Sequence, residues 1–314
     1  MRWVAGLQNH AEALVESTRL SVVKATLSLF EHAPYPLEHT LEHDGDPGLC
    51  GPGSVSWHVL ADPAAFVGGL RSLLIQSAHP EVVAGVADHS RYRDDPFGRL
   101  SRTSAYVTAT TFGAMPEVER AVANVRRIHR VVKGVSSRGV PYDADDPGYS
   151  AWVHNVLTDS FLQAHQRFGG RRLTSVEANR FVREQTRVGA LLGSDPMPET
   201  ATELAVWVAD HLDVAASAAM EDVVAFLTDP PMRPAVKVGY KMLLEAAIAV
   251  IPPRLRDILG VEPKSGATVV GRGAVSTLRW ALGYSPSWAL ALRRSGAEIP
   301  DELFRRRPDK HIAI

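Results

Sequence analysis

The sequence predicts an all-α protein: one large helical domain with no substantial sheet. Three observations carry this. Apolar residues recur at helical spacing through most of the 314 residues. Gly/Pro-rich punctuation such as "DGDPGLCGPGS" (44–54), "DDPFG" (94–98), "SSRGVPYDADDPG" (136–148) and "GSDPMPET" (193–200) separates the periodic stretches. No run alternates apolar and polar residues convincingly, apart from "SVSWHVL" (54–60), which reads as one short strand.

In chain order, helices are expected over 8–30, 63–78, 80–88, 97–111, 116–133, 149–168 and 174–191. They continue over 199–226, with a break, then 234–250, 268–282 and 285–294. The expected organisation is an N-terminal helical arm (1–40), a main helical domain (41–295) and a C-terminal tail (296–314). Helix 116–133 is the most legible. Pro116 suits the first helical position, Glu117 and Glu119 suit the positive end of the dipole, and Lys133–Gly134 make a last turn and stop. Val118, Val122, Val125, Ile128 and Val132 mark its inward stripe, and His129 falls on that stripe. Helix 97–111 carries Arg99, Arg102 or Thr103, Tyr106 and Thr110 along one face. That stripe is either a solvated face or a wall facing an anionic, oxygen-rich ligand, for which arginine forks are suited. His129 is likewise either a satisfied core residue or a ligand. In helix 149–168, His154 stands at the edge of the face formed by Trp152, Val153, Val156, Leu157 and Phe161.

Composition limits the functions. A net charge of -1 argues against general nucleic-acid binding. A single cysteine, Cys50, excludes intramolecular disulfides, cysteine-based zinc sites, iron–sulfur clusters and c-type haem attachment. The N-terminal "MRWVAGLQNHAEALVES" lacks an export signal's apolar core, so a cytoplasmic location is expected. "MLLEAAIAVIPP" (242–253) is too short to cross a bilayer. Phosphate loops, dinucleotide fingerprints, nucleophile elbows and H-E-x-x-H motifs are absent from the sequence. "HTLEHDGD" (39–46) places His39, Glu42, His43 and Asp44 at metal-like spacing, but in a loop without a rigid frame.

Four segments in order carry a resemblance: "GDPGLCGPGSVSWHV", "AHPEVVAGVADHSRYRDDPFGRLSRT", "RRIHRVVKGV" and "WVHNVLTDSFL". Together they resemble the bacterial and fungal family that includes the rubber oxygenases (latex clearing proteins) and the oxygenase MpaB of mycophenolic acid biosynthesis. The likeness runs from about residue 43 to at least 190. It implies a globin-like helical core holding haem b, and dioxygen-dependent oxidation of a hydrophobic small molecule. By the same resemblance His129 is the proximal iron ligand, and Arg99 and Thr103 match the arginine and threonine of the family's "R-x-x-K-T" motif. Arg102 stands where that motif has the distal lysine, and a guanidinium has no lone pair to give iron. Arg102 and Thr103 are therefore expected on the catalytic side, with Arg102 donating to bound dioxygen or pairing with a propionate. Tyr106 and His154 are expected to line the cofactor pocket without ligating iron. His79 or His89 is the rival source of a sixth ligand. Peroxidase-like turnover, haem storage, gas sensing and a carrier of apolar ligands are the alternative functions.

Overall fold

The structure is a computed structural model; it describes residues 2–90, 93–283 and 285–299, with side chains from residue 12 onward. Among these residues are fourteen α-helices. They are α1 (Arg2–Leu27), α2 (Val55–Ala61), α3 (Ala64–Ser77), α4 (Pro80–His89), α5 (Pro96–Phe112), α6 (Met115–His129) and α7 (Pro147–Phe168). The second half holds α8 (Ser175–Ala190), α9 (Ala201–Ala209), α10 (Ala218–Thr228), α11 (Pro234–Ile248), α12 (Pro253–Leu259), α13 (Ala267–Leu282) and α14 (Pro286–Arg294). The all-α expectation is met. The sheet consists of one antiparallel hairpin, β1 (Lys133–Val135) with β2 (Pro141–Asp143), and Gly134 stands opposite Tyr142.

Helix ends follow local chemistry. Asp95, Asp146, Thr174, Thr200 and Ser217 each accept a backbone N–H of the first turn they precede, and proline opens α4, α5, α6, α7, α11, α12 and α14. The segment expected as a strand, 54–60, is instead α2. Its alternation is coincidental. Ser54 accepts Trp57 N–H, and the Glu184 carboxylate from α8 accepts the Val55 and Ser56 amides, so the first N–H groups of the helix are matched from outside the segment. The region 136–148, expected as loop alone, contributes β2 and most of the hairpin turn, whose Gly139 has φ +76°.

α3 and α7 form the central pair. They approach so closely at Gly68 that a Cβ there would lie 2.7 Å from the Phe161 ring and 3.0 Å from Ser160 O. Across the same contact Arg71 meets Asp159 at 2.8 Å, both side chains essentially excluded from water. Arg71 also donates to Ser160 Oγ (2.8 Å) and Val250 O (3.0 Å), which ties the α11–α12 connection to the pair. The main core is apolar and built around Leu74, Ile75, Trp152, Phe181 and Leu255. α1 lies along α13, with Arg19 donating to Ala281 O. The expected tail lies, from residue 300 on, outside the described residues. No single helix among the described residues is long and apolar enough to cross a membrane.

Candidate functional site

One large cavity, about 2830 Å³, opens between α1, α3, α4, α5, α6, α7, α11 and α13. Its wall includes the six residues that the resemblance and the helix faces assigned to a cofactor pocket: Arg99, Arg102, Thr103, Tyr106, His129 and His154. α5 and α6 pack on each other and bring five of these together; α7 supplies His154.

His129 is the last residue of α6 and half-buried. Burial holds its pKa below the ordinary histidine value, against the pull of Asp145, the Ala144 backbone and Asp143 at the end of the hairpin. The end of the hairpin thus lies beside the imidazole. The expected inward stripe is only partly a core stripe. Val118 and Val122 are buried, but Ile128 is 42% exposed, on the cavity wall. Val132 lies beyond the helix.

The α5 stripe divides. Tyr106 and Thr110 turn inward. The Tyr106 hydroxyl is buried without a hydrogen-bond partner, and burial raises its pKa. Arg99 is half-buried and donates to Ser90 Oγ at 3.2 Å. Arg102 and Thr103 are exposed parts of the wall, not the buried pair the sequence suggested. Arg102 pairs with Asp95 at 3.2 Å, and the Thr103 hydroxyl donates back to Arg99 O within its own helix. The reason is register: Asp95 caps α5 seven residues, about two turns, before Arg102 and draws its guanidinium toward the helix start.

His154 is buried and neutral. Desolvation lowers its pKa to about 4, and Nε2 bonds with Gln185 O at 2.8 Å. Two wall residues passed over in the sequence complete the polar lining. Glu81, at the start of α4, accepts Ser136 Oγ (2.8 Å) and the Arg138 guanidinium; burial alone would raise its pKa, but these partners hold it below the usual carboxylate range. Tyr142 projects from β2. Neither was legible, because both depend on the hairpin folding over α4.

Of the rival sixth ligands, His89 bonds with Lys133 O at 3.1 Å, and His79 stands beside His211, outside the cavity wall. The metal-like loop 39–46 does not gather: His39 forms an exposed pair with Glu42 at 3.0 Å around a 3₁₀ turn, and among the described residues the four side chains make no metal-sized group.

The sequence profile of the ER-bound oxygenase mpaB/B'/rubber oxygenase catalytic domain matches residues 57–280. The chain belongs to this family. The match spans α2 to α13 and so contains the whole of the cavity wall described above except its α1, α14 and inter-helix edges. Two curated mycobacterial relatives, one from Mycobacterium bovis and one from Mycobacterium tuberculosis, are each 30% identical over 127 residues. Both are described as uncharacterized; the alignment covers 38% of this chain and 49% of each relative, so the chain spans about half the length of the curated relatives it matches. No solved structure matches the chain.

The residues present suit a flat, largely apolar group with acidic edges. The cavity is several times the size of a site for one drug-sized molecule, so it has room for a macrocycle and a substrate together. Apolar side chains that are conspicuously water-exposed, Leu27, Tyr35, Ile128 and Val153, lie on its wall, where an apolar occupant would cover them. The unmatched Tyr106 hydroxyl points to a polar partner that the protein itself does not supply.

Proposed function

We propose that this oxygenase-family chain uses haem b and dioxygen to oxidise a hydrophobic small molecule, and that His129 would bind the iron. One observation carries the reading: a half-buried imidazole at the cavity wall, kept neutral by burial. A neutral imidazole keeps the nitrogen lone pair that binding iron would require. Haem b supplies the activation of dioxygen when bound.

The chain's own groups do the rest. Arg99, half-buried, and Arg102, on the exposed part of the wall, would offer guanidinium donors to the acidic groups of the haem. Arg102 has no lone pair to give, so this position would supply no iron ligand where the family motif has a lysine. Tyr106 offers a hydroxyl to the cofactor or substrate, and neutral His154 and Thr103 complete the wall. Ile128 and Val153 exclude water beside an apolar substrate.

Expression with haem supplied, followed by absorption spectroscopy, tests this reading. Wild type should show a Soret band, and His129→Ala should lose or change it. An identical spectrum in the variant rejects His129. A colourless wild type rejects haem and leaves a carrier of apolar ligands. Oxygen uptake by the reduced protein should depend on an added terpenoid or lipid extract; uptake that never responds to substrate rejects the oxygenase reading.

A further inference from the structure

Just behind the cavity wall, α4 begins at a buried histidine whose Nδ1 makes no hydrogen bond. His79 is the N-cap residue of α4 and only 3% exposed; its Nδ1 has no hydrogen bond. The nearest acid, Glu81, has Oε2 3.4 Å away, but that carboxylate is already engaged by Ser136 and Arg138. A buried polar atom of this kind calls for a partner from outside the chain.

The loop after α9 brings the complement. His211 and Asp213 stand next to His79, and one ligating atom from each of the three lies within 4.8 Å of the others. The arrangement is held by contacts that do not involve the three side chains. Ala215 N–H donates to Ala78 O at 3.0 Å, and Arg254 donates to Ala209 O (2.9 Å) and His211 O (3.1 Å). Aromatic walls set the ring planes: His211 lies 4.7 Å from Trp152 and 4.6 Å from Trp207, and His79 lies 5.3 Å from Tyr149 (ring centroids). The His211 ring keeps a long 3.4 Å bond from the Asp213 backbone N–H, which a stronger partner would displace.

We infer that His79, His211 and Asp213 form a binding site for one divalent cation of borderline softness, Zn²⁺ foremost. Two imidazoles disfavour Ca²⁺ and Mg²⁺, which take oxygen ligands, and one carboxylate completes a three-donor set with a position left for water. The inward movement needed to reach zinc–ligand distances falls on Asp213, which is exposed, and His211, which is half-buried. The ion would join the start of α4 to the 211–215 loop. The site shares no ligand with the proposed haem site.

The test is calorimetric titration of the full-length, EDTA-stripped protein with Zn²⁺ near neutral pH, with and without haem supplied. Wild type should bind one Zn²⁺ in both cases, and His211→Ala and Asp213→Asn should each weaken binding by at least about tenfold. His79→Asn should do the same; the two less buried positions carry the test if that variant fails to fold. His39→Ala, at an exposed histidine elsewhere, should bind like wild type. No one-to-one binding in wild type, or equal affinity in wild type and in both His211→Ala and Asp213→Asn, overturns the inference. Because Zn²⁺ binding is read without haem, failure of the haem proposal leaves this result intact, and the reverse.

Discussion

Replacing Asp159 with leucine should be among the most damaging single changes in this chain. Asp159 neutralises Arg71 at 2.8 Å, where the two side chains are 2% and 1% exposed. The guanidinium cannot shed its proton, so the variant leaves a charge buried among α3, α7 and the α11–α12 connection. Its remaining bonds, to Ser160 Oγ and Val250 O, are to neutral acceptors. Breaking one side of such a pair costs about 3–5 kcal/mol. At about 2 °C per kcal/mol in a chain of this size, the melting temperature should fall by roughly 6–10 °C. The double variant Arg71→Met/Asp159→Leu removes both charges and keeps the volume apolar, so it should regain most of the loss. Urea unfolding followed by circular dichroism measures all three proteins. A single variant within about 1 kcal/mol of wild type, or a double variant as unstable as the single, would refute the assignment of the cost to an uncompensated charge.

Three further expectations concern other parts of the molecule. Gly68→Ala places a methyl 2.7 Å from the Phe161 ring and 3.0 Å from Ser160 O, and should destabilise by about 1–3 kcal/mol in the same assay. Tyr106→Phe removes a buried, unmatched hydroxyl, so the cofactor-free chain should keep or gain stability, by up to about 1–3 kcal/mol; a clear loss would show that the hydroxyl has a partner in the protein. His154 has its pKa lowered by burial from 6.5 to about 4, so the unfolded chain takes up a proton that the folded one refuses between these values. Stability should therefore be full above pH 6.5 and fall as pH drops through this window, by up to about 1.4 kcal/mol per pH unit from this one group. His154→Gln should flatten that slope, and an unchanged slope would remove His154 as its source.

What the sequence determined by itself is what short-range physics controls. Helical periodicity, capping side chains and proline near first positions set most helices to within a few residues; the family motifs singled out His129, Arg99 and Thr103, and the helix face added Tyr106, on two adjacent helices that do meet at one cavity. Tertiary structure decided the rest. The 54–60 segment became a helix because Glu184, about 130 residues away, accepts its first amides. The surroundings of His129 include Asp143, Ala144 and Asp145, which reach it only when β1 and β2 pair. The exposure of Arg102 follows from its pairing with Asp95. The His79–His211–Asp213 group joins residues more than 130 positions apart. Local propensity is a property of neighbours along the chain, whereas each of these contacts exists only after α3, α4, α7 and the loop beyond α9 have packed, and no spacing in the sequence encodes that distance.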